Sequence, residues 1–575
     1  MERQDLTILH FNDVYHISNA NLVARFAAVL TDPSLVTSDE SCISQGGPTL
    51  RVFSGDAFSP SLEAAVLRGD HMTPILDGLD VDVACYGNHD FDFGEARLLE
   101  LAKQTSFPWT LANAVAGGDG SVAERLLAGA HSYVVKEVAG YRIGFFGLAG
   151  TDWPSNCQRL PECTILDPSI VARRVASHLR LSENCDVVIA ITHMRLVEDL
   201  AVSGSTLFGD GRVDLVLGGH DHHVVRRDTD DTNPDPEVLQ SGFHDTGGGI
   251  SDYKGCVRIV KSGTDWRGLS VVRLRLERGI SGETITSHMS CEKFAMKQIS
   301  DLERLPNYNQ IIPSSKMLKI LRTTHSKVEK EVAHPSLRTE VPLDGRTHII
   351  RSQETNLGNM LADAVRCFYD TDIALVNSGA IRCDRIIECV DRSPLCIRDL
   401  IEISPFDNAF VVKRVSGRVL AEALENSVSD AHTDGRFLQL SGLCIMIDWK
   451  LPEGRRVSNI HFCPSQGSRT PLESQRMYTV AMVDFIGSGF DGYSCFQGAE
   501  TLVDAEGGIT DTNMLLEIFE SGGSGAEKGE IACDHQDGVK RARVAIIRGY
   551  HEADGLPTIS PVLEGRINVN NRSSL

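Results

Sequence analysis

Apolar runs of strand length recur through the first 220 residues, and they end on Asp, Asn or His beside glycine or another small residue. LTILHFN (6–12) reads as a buried strand ending at Asp13. SNANLVARFAAVL (18–30) then places Leu22, Val23, Phe26, Val29 and Leu30 on one helical face. TLRVFSGD (49–56) and DVACYGNHD (82–90) are two further strands, the second followed by a helix around ARLLELAKQ. PWTLANAV (108–115), YRIGFFGLAG (141–150), CDVVIAITHM (185–194) and VDLVLGGHDH (213–222) complete the set. KGCVRIVKSGTDWRGLSVVRLRLE (254–277) reads as antiparallel strands closing a first domain.

A charged, largely helical stretch follows, clearest over KMLKILRTTHSKVEKEV (316–332), and it separates two apolar-rich regions. The second region holds the helix LGNMLADAVRCF, the strand DIALVNSG and the strand YTVAMVDF. The expected layout is a first domain over 1–290, a helical linker over 291–335, a second domain over 336–550 and a C-terminal tail over 551–575. RRDTDDTNPDPE (226–237) and ESGGSGAEKGE (520–530) read as exposed, mobile loops. At 575 residues the chain exceeds what one hydrophobic core usually supports, so two domains are the natural division.

Composition narrows the function classes. A formal charge of −22 argues against binding a nucleic-acid backbone, which needs a basic face. It does not exclude phosphate chemistry, because bound cations reverse the local sign. No run reaches the roughly 18–20 apolar residues of a membrane span, and neither end carries a signal-peptide or lipid-anchor pattern. A cytoplasmic location follows as the expectation, with an extracellular route by other means left open. The 15 cysteines are scattered singly within apolar runs and read as reduced, buried thiols.

Five strings carry the chemistry: HFND (10–13), SGDAF (54–58), GNHDFD (87–92), THM (192–194) and GGHDHH (218–223). Each sits just past the carboxyl end of an apolar strand, where open α/β sheets place their sites. Phosphate-ester hydrolysis at two metal ions needs one carboxylate to bridge both ions, with N and O ligands filling the other positions. Asp56 is the candidate bridge. Asp13 would serve one ion, and Asn88, His193 and His220 the other. His222, two residues past His220, could return to the first. Two divalent ions are implied, with Mn, Zn, Co and Mg all open. Imidazoles and carboxylates suit Mn, Zn, Fe or Co better than the largely hydrated Mg.

The strings closely resemble the calcineurin-like metallophosphoesterases, and more narrowly the 5′-nucleotidase family. Its pattern runs ND-x-H, GD, GNH-E/D-FD, a lone His in a THx string, then GH-x-H or GH-x-Q. The resemblance implies an α/β (α+β) chain: a metallophosphoesterase β-sandwich flanked by helices, then the helical linker and a C-terminal αβ substrate-binding domain. It places Asp13, Asp56, Asn88, His193, His220 and His222 on the metal ligands. It places His89 on the residue that stabilises the transferring phosphoryl group, and Asp92 on the acid that orients it and favours its charged form. One position departs. Where the family has His two residues after its first Asp, this chain has Tyr15, followed by His16. Either His16 or water takes that place, or the first ion is held weakly.

The resemblance continues in RSQETNLGNMLADA (351–364), NSGAIR (377–382), SPFDNAF (404–410) and DFIGSGFDGY (484–493). It implies that Arg351 and Arg382 contact anionic groups, that Asn377 binds the base, that Phe406 and Phe485 sandwich it, and that Asp491 takes the ribose hydroxyls. The implied activity is removal of phosphate from nucleoside 5′-monophosphates, a small-molecule partner, with no nucleic acid or membrane involved. A nucleotide-sugar or cyclic-nucleotide phosphoesterase is the alternative on the same scaffold. A nucleotide-binding protein with impaired catalysis is the rival of another class.

Overall fold

The computed structural model describes residues 3–36, 47–116, 125–157, 159–228, 232–235, 251–255, 257–277, 294–389, 393–464, 468–519 and 533–570. The chain divides into two units, Met1–Lys327 and Val328–Leu575.

The first unit is built on β1 (Arg3–Phe11), β2 (Thr49–Phe53), β3 (Val83–Cys85), β4 (Trp109–Thr110), β5 (Val134–Val138), β6 (Tyr141–Ala149) and β7 (Val187–His193). It continues with β8 (Leu215–Gly218), β9 (Val224–Asp228), β10 (Ser251–Gly255), β11 (Val257–Ser262), β12 (Leu269–Glu277) and β13 (Phe294–Ile299). One sheet runs β10-β13-β12-β1-β2-β3-β4 and the other β9-β11-β8-β7-β6-β5. Strand alternation explains the layering. On β7, Val187, Ile189 and Ile191 enter the core shared with Ile8 and Phe53 of the first sheet. Val188 and Ala190 point the other way, against Val171, Val175 and Leu179 of α2 (Pro168–Leu181). The expected sandwich flanked by helices results. Helix α1 (Ala20–Thr31) starts where the Asn19 side chain accepts the Leu22 N–H, and it buries the predicted Leu22, Val23, Phe26, Val29 and Leu30.

The second unit centres on β14 (Ile373–Asn377), β15 (Phe410–Ser416), β16 (Leu438–Ser441), β17 (Met477–Val483) and β18 (Glu500–Val503), in the order β16-β14-β17-β15-β18. Alternation again makes two cores. Ala374 and Val376 face Leu361 and Val365 of the helix Asn356–Tyr369, while Ile373 and Leu375 face Leu420 and Leu424 of the helix Gly417–Ser427.

Four sequence expectations change. The stretch 254–277 does not stay in one sheet: β11 lies parallel to β8 in the second sheet, while β12 lies antiparallel to β1 in the first. The segment read as linker begins with β13, paired to β12, and the division falls at Lys327, inside the helix Ser315–Glu331. The tail is integral to the second unit. Pro557–Ile559 pairs with Pro335–Thr339, Ile567–Val569 pairs with Leu443–Ile447, and the Ile559 and Ile567 side chains are buried. In the acidic loop, Arg226 and Arg227 are buried within β9. Asp228 ends that strand, residues 232–235 are exposed, and 229–231 and 236–237, like 520–530 and 571–575, lie outside the described residues. The sheet each of these strands joins depends on pairing partners far away in sequence, which local periodicity does not report. No helix among the described residues is long and apolar enough to cross a membrane. Among the described residues, the cysteines are free thiols.

Candidate functional site

The carboxyl ends of parallel strands from both sheets deliver the predicted ligands to one place. Asp13 follows β1, Asp56 follows β2 and Asn88 follows β3; His193 ends β7, and His220 and His222 follow β8. Asp13, Asp56, His220 and His222 all have left-handed backbones, with φ of 53°, 64°, 78° and 60°. Non-glycine residues held there cost roughly 1–3 kcal/mol each and persist only where surroundings over-determine them. Close packing is one such cause: a Cβ on Gly87 would collide with the Asp56 carboxylate, and one on Gly55 would lie 2.8 Å from His193 Nδ1.

Asp13, Asp56 and His193 are fully buried, and their ligand atoms lie within 4.8 Å of one another. Asp56 faces two ways. Its Oδ1 accepts the His89 backbone N–H at 2.9 Å, and its Oδ2 stands 3.1 Å from His193 Nε2. His193 Nδ1 meets the Ser54 carbonyl at 2.7 Å, which makes Nδ1 the donor and aims Nε2 at the carboxylates. Burial pushes this imidazole's pKa down, but Asp56 and Asp13 outweigh it and raise it to about 10. Burial likewise opposes ionisation of Asp13, and His193 and His222 hold its carboxyl well below the usual range. His222 Nε2 is 3.3 Å from Asp13 Oδ1.

The donor set fits bound cations. Asn88 Oδ1 and His220 Nδ1 are buried and have no hydrogen-bond partner, while His193 Nε2 faces the Asp56 and Asp13 carboxylates. Leaving such atoms unpaired costs about 1–3 kcal/mol each, so their joint survival points to a ligand. Their other atoms are tied down: Asn88 Nδ2 donates to the Asn156 carbonyl at 3.5 Å, and His220 Nε2 meets Asp152 Oδ2 at 3.2 Å.

Three supporting residues escaped the sequence reading. Asp152 also takes Asn156 Nδ2 at 2.8 Å and Arg195 Nε at 3.0 Å, so one carboxylate orients both His220 and the neighbour of Asn88. Asp90 accepts the backbone N–H groups of Asp56, Ala57, Phe58 and Gly87, clamping two ligand loops together. Burial and the nearby Asp56 raise its pKa to about 6. Lys261, fully buried on β11, reaches the carbonyls of Met194 at 2.7 Å and Gly219 at 2.9 Å. It pairs with Asp199 at 2.7 Å and with Asp221. It thus ties the chain beside His193 to the chain beside His220. The only sequence signal was a lysine on an apolar strand.

His89 and Asp92 meet as expected, Nδ1 to Oδ2 at 2.9 Å, and both are nearly buried. Tyr15 enters the centre: its hydroxyl lies 3.0 Å from Asp13, 3.2 Å from Asp56 and 2.9 Å from His222. His16 turns outward to Asp265 at 2.9 Å, its side chain 48% exposed.

The second-unit candidates form looser groups. The Arg382 guanidinium sits 4.8 Å above the Phe406 ring. Phe485 stacks on Phe490 with centroids 5.0 Å apart and planes 14° from parallel, and Phe490 was not foreseen. Arg351 donates to the Thr433 carbonyl. Asn377, at the end of β14, is buried with Oδ1 unpartnered. Asp491 has φ 51°, and its carboxyl is raised by burial and by Asp434. Among the described residues, Phe406 and Phe485 make no ring contact with each other.

Residues 6–224 match the family model described as calcineurin-like phosphoesterase, and residues 335–498 that of the 5′-nucleotidase C-terminal domain. The trifunctional nucleotide phosphoesterase protein YfkN of Bacillus subtilis is 24% identical over 558 residues, which is 90% of this chain but only 34% of that protein. The chain therefore spans about a third of YfkN's length. A 5′-nucleotidase of Vibrio parahaemolyticus is 23% identical over 531 residues, covering 90% of this chain and 89% of that one. Among solved structures, the NAD nucleotidase (NadN) of Haemophilus influenzae has a TM-score of 0.64 at 14% identity, over 99% of this chain and 100% of that one, and so shares the fold. With a phosphoesterase domain and a nucleotidase C-terminal domain in one chain, the protein belongs to the 5′-nucleotidase family and is a hydrolase of phosphoric esters.

Proposed function

We propose that this chain removes phosphate from nucleoside 5′-monophosphates, with two divalent ions held by Asp13, Asp56, Asn88, His193, His220 and His222. The observation that carries it is the buried cluster of Asp13, Asp56 and His193, with unpartnered buried atoms on Asn88 and His220 at the neighbouring strand ends. When bound, two such ions lower the pKa of a shared water and neutralise phosphate oxygens.

The chain's own groups do the rest. His89, oriented by Asp92, donates to the phosphoryl oxygens as negative charge develops. Arg351 and Arg382 hold anionic groups, since a guanidinium pairs with phosphate bidentately. Asn377 Oδ1, still without a partner, accepts from the base edge. Phe406 and Phe485 supply faces for the base, and Asp491 accepts the ribose hydroxyls. Retention of the His89–Asp92 pair supports catalysis over a binding relic, which has no physical need of it.

Phosphate release by the purified chain tests this, supplied in turn with Mn, Zn, Co or Mg and given mononucleotides, nucleotide sugars, cyclic nucleotides and a small aryl phosphate. Mononucleotides should turn over fastest. Preference for either other nucleotide class would replace the substrate assignment, and silence with every metal would remove the mechanism.

A further inference from the structure

Two thiols of the second unit meet across a hairpin. The strands Leu443–Ile447 and Val457–Phe462 pair antiparallel, with Leu443 opposite Phe462 and Cys444 opposite His461. Alternation sends Leu443, Ile445, Ile447 and Phe462 into the core, and so places Cys444 and Cys463 together on the other face. They are diagonal neighbours there, a spacing that short side chains do not ordinarily bridge. A bulge shortens the diagonal. The register shifts between Cys444 and Met446, Asn459 on the facing strand takes a left-handed φ of 49°, and bulges raise the local twist. Cys463 N–H donates to the Gly442 carbonyl at 2.8 Å, and Cys463 Sγ lies 3.0 Å from Cys444 Sγ. A disulfide bond of about 2.05 Å is only about 1 Å shorter. Among the described residues, no other two cysteines bring their sulfurs within hydrogen-bond reach of each other.

We propose that Cys444 and Cys463 form a thiol–disulfide exchange site, which takes a low-molecular-weight disulfide as oxidant and closes into a bond across the hairpin. Exposure sets the order of events: Cys463 is half-buried and Cys444 is buried. Burial, with the Cys463 thiol adding, pushes the Cys444 thiol up to about 12, so it is the poorer first nucleophile. The Cys463 thiolate attacks one sulfur of the small disulfide, breaks its S–S bond and releases one small thiolate. The Cys444 thiolate then attacks Cys463 Sγ and releases the second. Two protein thiols are oxidised by two electrons, the small disulfide is reduced to two thiols, and the two protein protons end on them. Placement of the sulfurs makes the second step intramolecular, which offsets the poor ionisation of Cys444. The bond closes residues 444–463 into a loop already docked at its far end. The Glu425 carboxylate accepts the Arg456 and Val457 backbone N–H groups, both at 2.9 Å, and the Trp449 ring lies 4.5 Å from that of His432. The cross-link therefore holds an anchored hairpin at its base and stabilises the second unit.

The test uses the full chain, reduced, freed of reductant and titrated with oxidised glutathione. Remaining thiols are then alkylated and the peptides mapped by mass spectrometry. The Cys444–Cys463 bond should form before any other cysteine is modified, and the thermal midpoint of the second unit should rise by roughly 5–10 °C. Dithiothreitol should reverse both. Cys444→Ser should stop at a stable mixed disulfide on Cys463, Cys463→Ser should leave Cys444 unmodified, and neither variant should gain stability on oxidation. A lasting mixed disulfide on the parent Cys463, a bond from either residue to another cysteine, or a pair still reduced under excess oxidant overturns the assignment. An unchanged midpoint in the cross-linked chain overturns the stabilising role. The map is read on the parent chain, so it decides the question even where a variant fails to fold. Phosphate release takes no part in the readout, which keeps this inference separate from the proposed function.

Discussion

The candidate metal-ligand centre of the first unit and the nucleoside-binding candidates of the second are built on opposite principles. In the first unit, Asp13, Asp56, Asn88, His193 and His220 are almost wholly buried, four ligands are left-handed, and each is held by a named neighbour. In the second, Phe406 is 51% exposed, Phe485 41% and Phe490 59%, and their contacts are ring faces rather than directional bonds. Metal chemistry needs fixed atoms, because ligand geometry sets both affinity and reactivity. Flat heterocycles need only a face. The contrast teaches that the first group is built for fixed atoms and the second for adaptable faces; under the proposed function, reaction type rests on the former and substrate range on the latter.

The largest test removes the fixed side of that contrast. Lys261→Met strands Asp199 and Asp221 without their cation, so the first unit should lose about 3–5 kcal/mol, read from denaturant unfolding. Asp199→Asn in the same chain should restore part of it. An unchanged midpoint would mean the ligand loops hold themselves.

His89→Ala should lower phosphate release by about 10²–10³-fold with metal content intact by elemental analysis. Turnover equal to the parent removes the assigned role. On the adaptable side, Phe485→Ala should cost nucleotides about 1–3 kcal/mol in kcat/KM, and a small aryl phosphate almost nothing. Equal losses on both would show that Phe485 shapes the fold instead of stacking a base.

The smallest effect is one of pH. Asp511 begins a helix of the second unit, and burial, with Asp407 adding, raises its carboxyl to about 7. The folded state therefore binds this proton more tightly than the unfolded chain. Stability from it is full below the ordinary carboxylate value and is lost as pH rises through about 7. Asp511→Asn should flatten that part of the thermal-unfolding profile of the second unit without altering the first.

Much of this was legible without coordinates. The face of α1 and the strand-end positions of Asp13, Asp56, Asn88, His193 and His220 follow from periodicity and local punctuation. The stretch 254–277 misled, because whether a strand joins one sheet or another depends on partners far away in the chain. The tail misled for the same reason: Ile559 and Ile567 look like isolated apolar residues until Pro335–Thr339 and Leu443–Ile447 supply their neighbours.

The sequence by itself determined which residue types could bind cations and that they recur at strand ends, since motif and periodicity are local properties. Only the tertiary structure decided that Tyr15 rather than His16 enters the centre, that Asp152 and Asp90 orient ligands, and that Lys261 joins two ligand loops. The physical reason is distance along the chain: Tyr15 meets His222 across 207 positions and Lys261 meets Met194 across 67, and such contacts exist only once the sheets have closed.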